Sequence, residues 1–360
     1  PRPPDDRPRP AARWRHGAGA GDALLDPATA RSVIELACRA PSLHNTQPWR
    51  WRIGPSSLHL FADPDRRLDA SDPYDHDLVV ACGAALHHLQ VALRAAGWQP
   101  LVHRIPDPAR PDHLAAVEMH PREPSQEDLA LASAIERRRT DRRAFTSWPV
   151  PDQLREGFCR LAEDAGAELL PLDAPGERWR IAQFAEAAAV AQALTPGVVA
   201  ETHSWSGRRR GAQDGVPAGN VSDPGRGDDA PTFPLQNVAG AELPAPLTTD
   251  PDDGTWLALL VTREDGRLAR LRAGEALSSV LLEATVVGMA AQPVTQLLQV
   301  PELRARVRDE VTGGLVPHVL LRLGWASSSA PPVPPTGRRG LADVLEPWDA
   351  PWPDPATAEP

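Results

Sequence analysis

The stretch Ala40–Trp49, APSLHNTQPW, is informative about the fold because it joins a segment of helical periodicity to one of strand periodicity. Before it, Asp26 followed by proline is typical of an N-cap and first helical residue, and the apolar spacing predicts a helix over 26–40. Pro41 must end that helix. After the stretch, Trp49–Ile53 alternates like a half-buried strand. The sequence therefore predicts a loop that connects a helix to the first strand of a sheet.

The loop is rich in side chains that can form hydrogen bonds: Ser42, His44, Asn45 and Gln47. Taken alone, this composition is compatible with a well-capped turn and also with a ligand-binding loop. The residues by themselves leave both interpretations open.

A second motif, RRTDRRAF, covers Arg138–Phe145 at the end of a helix that Ser125–Asp128 begin as a capping box. One interpretation is a solvated basic helix end that complements the helix dipole. The other is an anion site, because an extended chain would project Arg138, Thr140 and Arg142 to one side. The chain contains no lysine, so any phosphate site must use arginine.

Together the two motifs resemble those of the nitroreductase family of flavoproteins, whose A-P-S-x-x-N-x-Q-P-W loop lies over FMN. The resemblance implies that Pro41, Ser42 and Asn45 are flavin neighbours. It also implies that Arg138 binds the FMN phosphate with support from Thr140. Arg142 would reach N1 and O2 of the flavin ring.

The order of the motifs is reversed relative to typical nitroreductases, with the loop in the first half and the arginine motif in the second. This arrangement resembles the Acg family of actinobacteria, in which duplication and fusion give an intramolecular dimer with a lid over one FMN. Further matches at Gln292–Gln296 and Gly337–Leu341 imply that Thr295 and Gln296 meet the ring. They also imply that Arg338 and Arg339 contact the phosphate.

The expected fold class is α+β, a nitroreductase-like fold of two fused α+β halves that form a pseudo-dimer. Gly83, within the long helix predicted over 77–96, would permit close helix packing. We predict a disordered leader over 1–22, a first half over 23–124, a second half over 125–345 with a lid loop over 196–246, and a C-terminal tail over 346–360.

Composition limits the classes of function. A hydrophobic content of 41% and a charged content of 24% are typical of soluble globular proteins. A net charge of −10 argues against a nucleic-acid surface, and no apolar run approaches a membrane span. Cys38, Cys82 and Cys159 are widely spaced, which favours reduced thiols in a cytoplasmic protein.

Other motifs are weaker. The glycines of Gly17–Gly21 follow no strand, so a flexible leader is favoured over a dinucleotide loop. His87 and His88 are neighbours on a helix and cannot face one ligand, and the chain has no metal-binding motif. Acidic pairs such as Asp72 and Asp75 are interpreted as turn formers.

Three functions remain. The first is an FMN-dependent oxidoreductase that takes hydride from NAD(P)H and reduces a nitroaromatic or quinone in a ping-pong cycle. The alternative is a protein that stores or sequesters FMN behind the lid at 196–246 without turnover. A flavin-free interaction protein is the third, in which both motifs would be relics.

Overall fold

The computed structural model describes residues 25–221, 242–243 and 254–350, in which helices and strands alternate along the chain. The elements in chain order are α1 (Pro27–Ala37), β1 (Trp49–Ile53), β2 (Ser57–Ala62), α2 (His76–Ala95), β3 (Trp98–Arg104), β4 (His113–Pro121), α3 (Gln126–Arg137), α4 (Asp152–Asp164), β5 (Glu168–Pro171), α5 (Pro175–Ala193), α6 (Pro196–Trp205), β6 (Ser206–Arg208), β7 (Val216–Pro217), β8 (Trp256–Thr262), α7 (Arg267–Val286), β9 (Ala290–Val294), α8 (Pro301–Glu310), β10 (Val316–Gly324), α9 (Leu341–Val344) and β11 (Leu345–Glu346).

Two main sheets organise the molecule. The first has the strand order β11-β1-β2-β4-β3, and it packs α1 and α2 against one face through Trp49, Trp51 and Leu60. The second has the order β5-β8-β10-β9 and is covered on both faces. Leu260 of β8 belongs to a core with α4 and α7, whereas Leu259 belongs to a core with α5 and α8. This alternation follows from the two-residue period of a strand.

The two long helices α2 and α7 join the two sheet layers. A Cβ on Gly83 would lie 2.0 Å from the carbonyl oxygen of Leu271 and 2.9 Å from the Cα of Gly274. A Cβ on Gly274 would likewise lie 2.0 Å from the carbonyl oxygen of Val80. Only glycine allows the backbones to approach this closely, so the expected packing role of Gly83 is confirmed.

Helix α2 is the described helix that is long and apolar enough to cross a membrane. Most of it is buried between α1, α7 and the first sheet, and core helices commonly pass the same test of length and composition. Its sequence is thus accounted for by its position in the core.

Most predicted elements are confirmed, including the capping box, in which Ser125 and Asp128 satisfy each other's backbone N–H groups. The segment predicted as a lid loop over 196–246 begins with a helix, because Pro196–Trp205 forms α6. Residues 222–241 and 244–253 of that loop lie outside the described residues, as do the predicted leader and most of the tail. Glu346, the first residue of the predicted tail, belongs instead to β11.

Candidate functional site

A cavity with about 670 Å3 of atom-free space, counted out to its opening, lies between the first turns of α2 and the end of β9. Segments from both main sheet layers contribute to its wall. The lining residues are Pro41, Ser42, Leu43, His44, Asp77, Val80, Ala81, Thr140, Arg142, Val216, Leu277, Pro293, Thr295 and Val319.

The loop after α1 holds an unusual backbone. His44, Asn45 and Gln47 have φ values of 48°, 56° and 54°, in the left-handed region that side chains other than glycine rarely adopt. The backbone N–H of Gln47 donates to Ser42 Oγ at 2.9 Å, which closes the loop. Strain of this kind persists where surrounding contacts enforce it, and it is common at ligand sites.

Two amide side chains of this loop bind neighbouring segments rather than facing the cavity. Asn45 Nδ2 donates to the carbonyl oxygens of Gly215, at 3.1 Å, and Gly337, at 3.2 Å. Gln47 Nε2 donates to the carbonyl oxygen of Gln213 at 2.8 Å. The structure therefore brings Pro41 and Ser42 to the cavity wall, while Asn45 connects the wall to two segments far away in sequence.

The arginine motif crosses the opposite side of the cavity as an irregular segment after α3. Thr140 and Arg142 line the cavity, and Arg142 Nη1 donates to the carbonyl oxygen of Asn220 at 3.1 Å. Burial lowers the pKa of Arg142 to about 10, although Asp141 opposes the shift. The sequence prediction that these side chains converge on one site is thus compatible with their positions.

Arg138 is buried with its Nε and Nη1 lacking hydrogen-bond partners among the described residues. Arg338 donates through Nη2 to the carbonyl oxygens of Arg39 and Ala40 at the end of α1, but its Nε is buried without such a partner. Burial, followed by the charge of Arg138, lowers the pKa of Arg338 to about 9. Burial, followed by the charge of Arg139, lowers the pKa of Arg138 to about 10.

Arg138, which is buried, and Arg338, which is half-buried, therefore form a cationic pair for which no carboxylate partner is found in the described part of the chain. Two like charges, one of them on a buried side chain, are costly unless an anion compensates them. Arg339 differs, since its Nη1 pairs with the buried carboxylate of Asp63 at 3.0 Å. We therefore leave Arg339 out of the candidate anion site.

The turn after β9 supplies one cavity residue and one structural residue. Thr295 lines the cavity, and its Oγ1 accepts a hydrogen bond from Gln299 Nε2 at 3.1 Å. Gln296 is buried and donates through Nε2 to Gln192 Oε1 on α5 at 3.0 Å. The side chain of Gln296 is thus engaged with α5 and is absent from the cavity wall.

Sequence reasoning missed two polar residues of the wall. His44 occupies a variable position of the loop motif, and burial, followed by the charge of Arg142, lowers its pKa to about 4. Asp77 lies in the first turn of α2, in an acidic run whose other members suggested turns. Asp72 indeed accepts the backbone N–H groups of His76 and Leu78, so the turn interpretation holds for Asp72. No sequence signal distinguished Asp77 from its acidic neighbours.

A covering segment, residues 196–217, consists of α6, β6, β7 and the loop between the two strands. Val216 contributes to the cavity wall. Arg66 Nη1 pairs with Asp214 at 2.7 Å, and the carboxylate of Glu201 accepts hydrogen bonds from the backbone and hydroxyl of Ser71. With the Asn45 and Gln47 contacts, these bonds hold the covering segment against the first sheet layer.

In the part of the chain that the structure describes, no group of three or more histidine, cysteine or acidic side chains could hold a metal ion. Arg138 belongs to the same segment as the cavity residues Thr140 and Arg142, and its unpaired buried guanidinium is suited to an anionic group of an organic ligand. The site thus calls for a phosphate or carboxylate group on whatever occupies it.

Comparison with known proteins gives the family. The Mycobacterium tuberculosis protein named "Putative NAD(P)H nitroreductase Rv3131" is 46% identical over 336 residues, which cover 91% of this chain and 93% of that protein. A second M. tuberculosis protein, "Putative NAD(P)H nitroreductase acg", is 33% identical over 330 residues, covering 90% of this chain and 97% of that protein. This chain belongs to the Acg family of nitroreductase-like proteins, and its α+β fold is the fold expected for that family.

No protein-family model matches the chain. Among solved structures, a Bacteroides fragilis nitroreductase with bound FMN is 14% identical, with a TM-score of 0.37, and the match covers 58% of this chain and 95% of that one. Since this TM-score indicates only distant overlap, the family assignment rests on the mycobacterial relatives.

Proposed function

We propose that the protein binds FMN in this cavity and uses it to pass electrons from NAD(P)H to a nitroaromatic or quinone. The cationic pair, Arg138 and Arg338, is the observation that carries the proposal. An FMN phosphate bears nearly two negative charges at neutral pH and offers three acceptor oxygens. It would therefore compensate the two guanidinium groups and give acceptors to Nε and Nη1 of Arg138 and to Nε of Arg338.

The other wall residues suit the ring end of the cofactor. In this proposal Pro41, Ser42, Thr140 and Thr295 surround the ring, and Arg142 supplies positive charge near its polar edge. Positive charge at that edge favours the anionic reduced ring. When bound, FMN supplies hydride chemistry, while the protein's residues bind it, orient it and limit its contact with water.

The same proposal explains the order of the sequence motifs. The loop residues Pro41 and Ser42 precede α2, whereas Thr140 and Thr295 belong to segments after α3, so one site draws on both halves. We therefore propose a pseudo-dimer of halves 23–124 and 125–345, packed through α2 and α7. Free cysteines at Cys38, Cys82 and Cys159 are compatible with the expected cytoplasmic location.

The covering segment favours a second candidate function, the storage of FMN without turnover. Val216 of this segment contributes to the cavity wall. Hydrogen bonds from Asn45, Gln47 and Arg66 hold the strands and connecting loop of the covering segment in place. A nicotinamide ring must reach the flavin face to donate hydride, so a permanently closed segment would prevent turnover. The two functions share one cofactor site and differ in whether this segment opens.

One experiment separates the candidates. The purified protein is examined for an FMN absorption spectrum, and NADPH is then added under anaerobic conditions, followed by a quinone or a nitroaromatic. Bleaching by NADPH and recovery with the acceptor support the oxidoreductase, while bound FMN that NADPH does not bleach supports storage. A protein that binds no FMN on purification or reconstitution contradicts both.

A further inference from the structure

Helix α2 carries a fully buried histidine, His88, without a hydrogen-bond partner. Its side chain is 0% exposed, and neither ring nitrogen has a partner among the described residues. A buried polar atom that lacks a partner is costly, so its presence calls for an explanation. His87 differs, because its Nδ1 lies 2.8 Å from Ser278 Oγ on α7. The two neighbouring histidines thus face different sides of α2.

His88 lies on the face of α2 that lines the cavity. Asp77 and Ala81 contribute to the cavity wall, and His88 follows them along the same helix. At 3.6 residues per turn, the three positions fall within about 40° of one another around the helix axis. A rise of 1.5 Å per residue places His88 about 10 Å beyond Ala81. The cavity-facing side of α2 therefore continues to His88.

The packing of α2 against α3 brings Arg138 to the same place. The two helices run in opposite directions, because Arg94 near the end of α2 lies 3.3 Å from Asp128 in the first turn of α3. Val91, one turn earlier in α2, packs against the last turn of α3. Another turn back along α2 is His88, and the residue that follows α3 is Arg138.

Two further segments lead from the cavity wall towards this histidine. Thr140 lines the cavity, and Arg138 precedes it by two residues. Pro41 also lines the cavity, and the carbonyl oxygen of the preceding residue, Ala40, accepts a hydrogen bond from Arg338 Nη2 at 3.3 Å. An elongated ligand with a ring at the wall and an anionic group at its far end fits this arrangement. FMN has that form, because a five-carbon chain joins its ring to the phosphate.

The charges of Arg138 and Arg338 both act on His88. Burial, followed by the charges of Arg138, His87 and Arg338, holds the pKa of His88 well below its usual range. The backbone of Leu36 on α1 acts in the opposite sense, although the contact falls outside hydrogen-bond geometry. The imidazole is therefore neutral in the flavin-free protein at pH 7.

The other titratable groups around His88 supply no compensating negative charge. On α1, burial raises the pKa of Cys38 to about 12, so its thiol is neutral. After α3, Arg139 adds a further positive charge near Arg138. Carboxylates of the surrounding helices form ion pairs elsewhere, in Arg39–Glu136, Arg94–Asp128 and Arg104–Glu275. An anionic ligand would therefore relieve His88 and both arginines together.

We propose that His88 is a third ligand of the FMN phosphate, beside Arg138 and Arg338, and takes up a proton when the phosphate binds. The inference rests on the proposed function, because it adds a residue to that cofactor site. The phosphate dianion would offset the repulsion from the two guanidinium groups and accept a hydrogen bond from the ring, and both effects favour the imidazolium. His88 would be a binding residue with no part in electron transfer.

The first test compares FMN with riboflavin, which has the same ring and chain but no phosphate. Dissociation constants are measured by flavin fluorescence for the wild type and for His88→Leu. The variant should bind FMN about 10- to 100-fold more weakly, because it lacks a charge-assisted hydrogen bond, while its affinity for riboflavin should change less than twofold. A purely structural effect of the substitution would weaken both flavins equally and would overturn the proposal.

His87→Leu is the matched control, since it makes the same substitution one residue away. His87 is bonded to Ser278 on α7, so its loss can disturb the helix packing without removing a phosphate ligand. The ratio of the riboflavin and FMN dissociation constants should stay within twofold of the wild-type ratio. A fall in that ratio as large as that of His88→Leu would also contradict a specific role for His88.

The second test counts protons. FMN is titrated into wild type and His88→Gln at pH 7 by calorimetry in buffers of different ionisation enthalpy. Glutamine keeps a neutral N–H donor but cannot be charged, so the wild type should take up about one proton more per FMN bound. Because binding raises the pKa of His88, the FMN affinity of the wild type should fall more steeply than that of the variant between pH 6 and 8. Equal proton uptake would overturn the proposal.

The outcomes separate this inference from the proposed function. Wild-type protein that binds neither flavin would overturn the proposed function, and the role of His88 with it. Wild-type protein that prefers FMN to riboflavin, together with a His88→Leu variant that keeps the whole preference, would overturn the role of His88 alone. The FMN site would then remain with Arg138 and Arg338 as its phosphate ligands.

Discussion

Gly83 and Gly274 meet backbone to backbone where α2 crosses α7, and a Cβ on Gly274 would lie 2.8 Å from the Cα of Gly83. Because α2 belongs to the core of the first sheet and α7 packs against the second, this contact sets the distance between the two layers. The cavity lies beside the crossing, with Val80 and Leu277 in its wall. The width of the site thus depends on two residues without side chains.

Gly83→Ala should therefore destabilise the whole protein. Its new methyl group would fall 2.0 Å from a backbone oxygen, which cannot move without separating the helices. We expect a loss of about 3 kcal/mol or more in the free energy of unfolding, measured by urea denaturation. The matched control is Gly157→Ala in α4, where a Cβ meets only the tip of Arg160 at 3.9 Å. That change should stabilise by about 0.5–1 kcal/mol, and similar values for both variants would contradict the close crossing.

Arg138→Met should weaken FMN binding and stabilise the flavin-free protein. The folded-state pKa of Arg138 is lowered to about 10 from 12.5, so the unfolded chain binds more protons and the charged side chain costs stability at all lower pH values. Flavin-free Arg138→Met should gain about 1–3 kcal/mol in unfolding free energy at pH 7.

The same variant should bind FMN about 10- to 100-fold more weakly in a fluorescence titration, because it loses charge-assisted hydrogen bonds to the phosphate. Arg139→Met is the control, since Arg139 is partly exposed and donates to the carbonyl oxygens of Glu136 and Arg138. Its FMN affinity should change less than twofold. Equal weakening by both changes would argue for general electrostatics instead of a phosphate site.

Asn45→Gly should loosen the covering segment. Glycine tolerates the left-handed backbone of Asn45 but lacks the amide that donates to Gly215 and Gly337. Loss of these two hydrogen bonds, about 1–2 kcal/mol, should speed hydrogen exchange of residues 206–217 about tenfold. Asn45→Asp keeps the side-chain size without the donor and should give the same result. An effect confined to glycine would assign the change to backbone freedom.

Acid should destabilise the protein through His44. The folded-state pKa of His44 is about 4, against 6.5 when unfolded, so the unfolded chain binds the extra proton between these values. Stability from this group is present above pH 6.5 and is lost as the pH falls towards 4. In His44→Asn the slope of unfolding free energy against pH in that window should decrease by up to about 1.4 kcal/mol per pH unit. An unchanged slope would mean that the His44 ring meets water.

Local rules predicted the regular elements well. The N-cap at Asp26, the capping box at Ser125 and the alternation of Trp49–Ile53 each act over a few residues, and each is present in the structure. Helix α6 was missed because Pro196–Trp205 precedes a long stretch rich in glycine, proline and aspartate, which dominated the interpretation of the whole segment.

Fewer residues of the candidate site than of the regular elements could be predicted from the sequence. The sequence motifs correctly named five residues of the cavity wall: Pro41, Ser42, Thr140, Arg142 and Thr295. Asp77 also lines the cavity, although no motif names it, because only the tertiary fold brings the start of α2 next to these residues. Gln296 and Arg339 also belong to motifs, but their side chains bind other residues of the protein. Gln296 forms a hydrogen bond with Gln192, and Arg339 forms an ion pair with Asp63.

Strand β11 can join the first sheet only after almost the whole chain has been synthesised. Its Glu346 accepts two hydrogen bonds from the Arg52 guanidinium, across 294 residues of chain, and the approach to it carries Arg338 to the end of α1. Contacts that close so long a loop form late and slowly. A ribosome must therefore finish almost all of these residues before the first sheet gains its last strand. A nascent chain released early would lack both that strand and Arg338, and with it half of the cationic pair to which the proposed function assigns the cofactor phosphate.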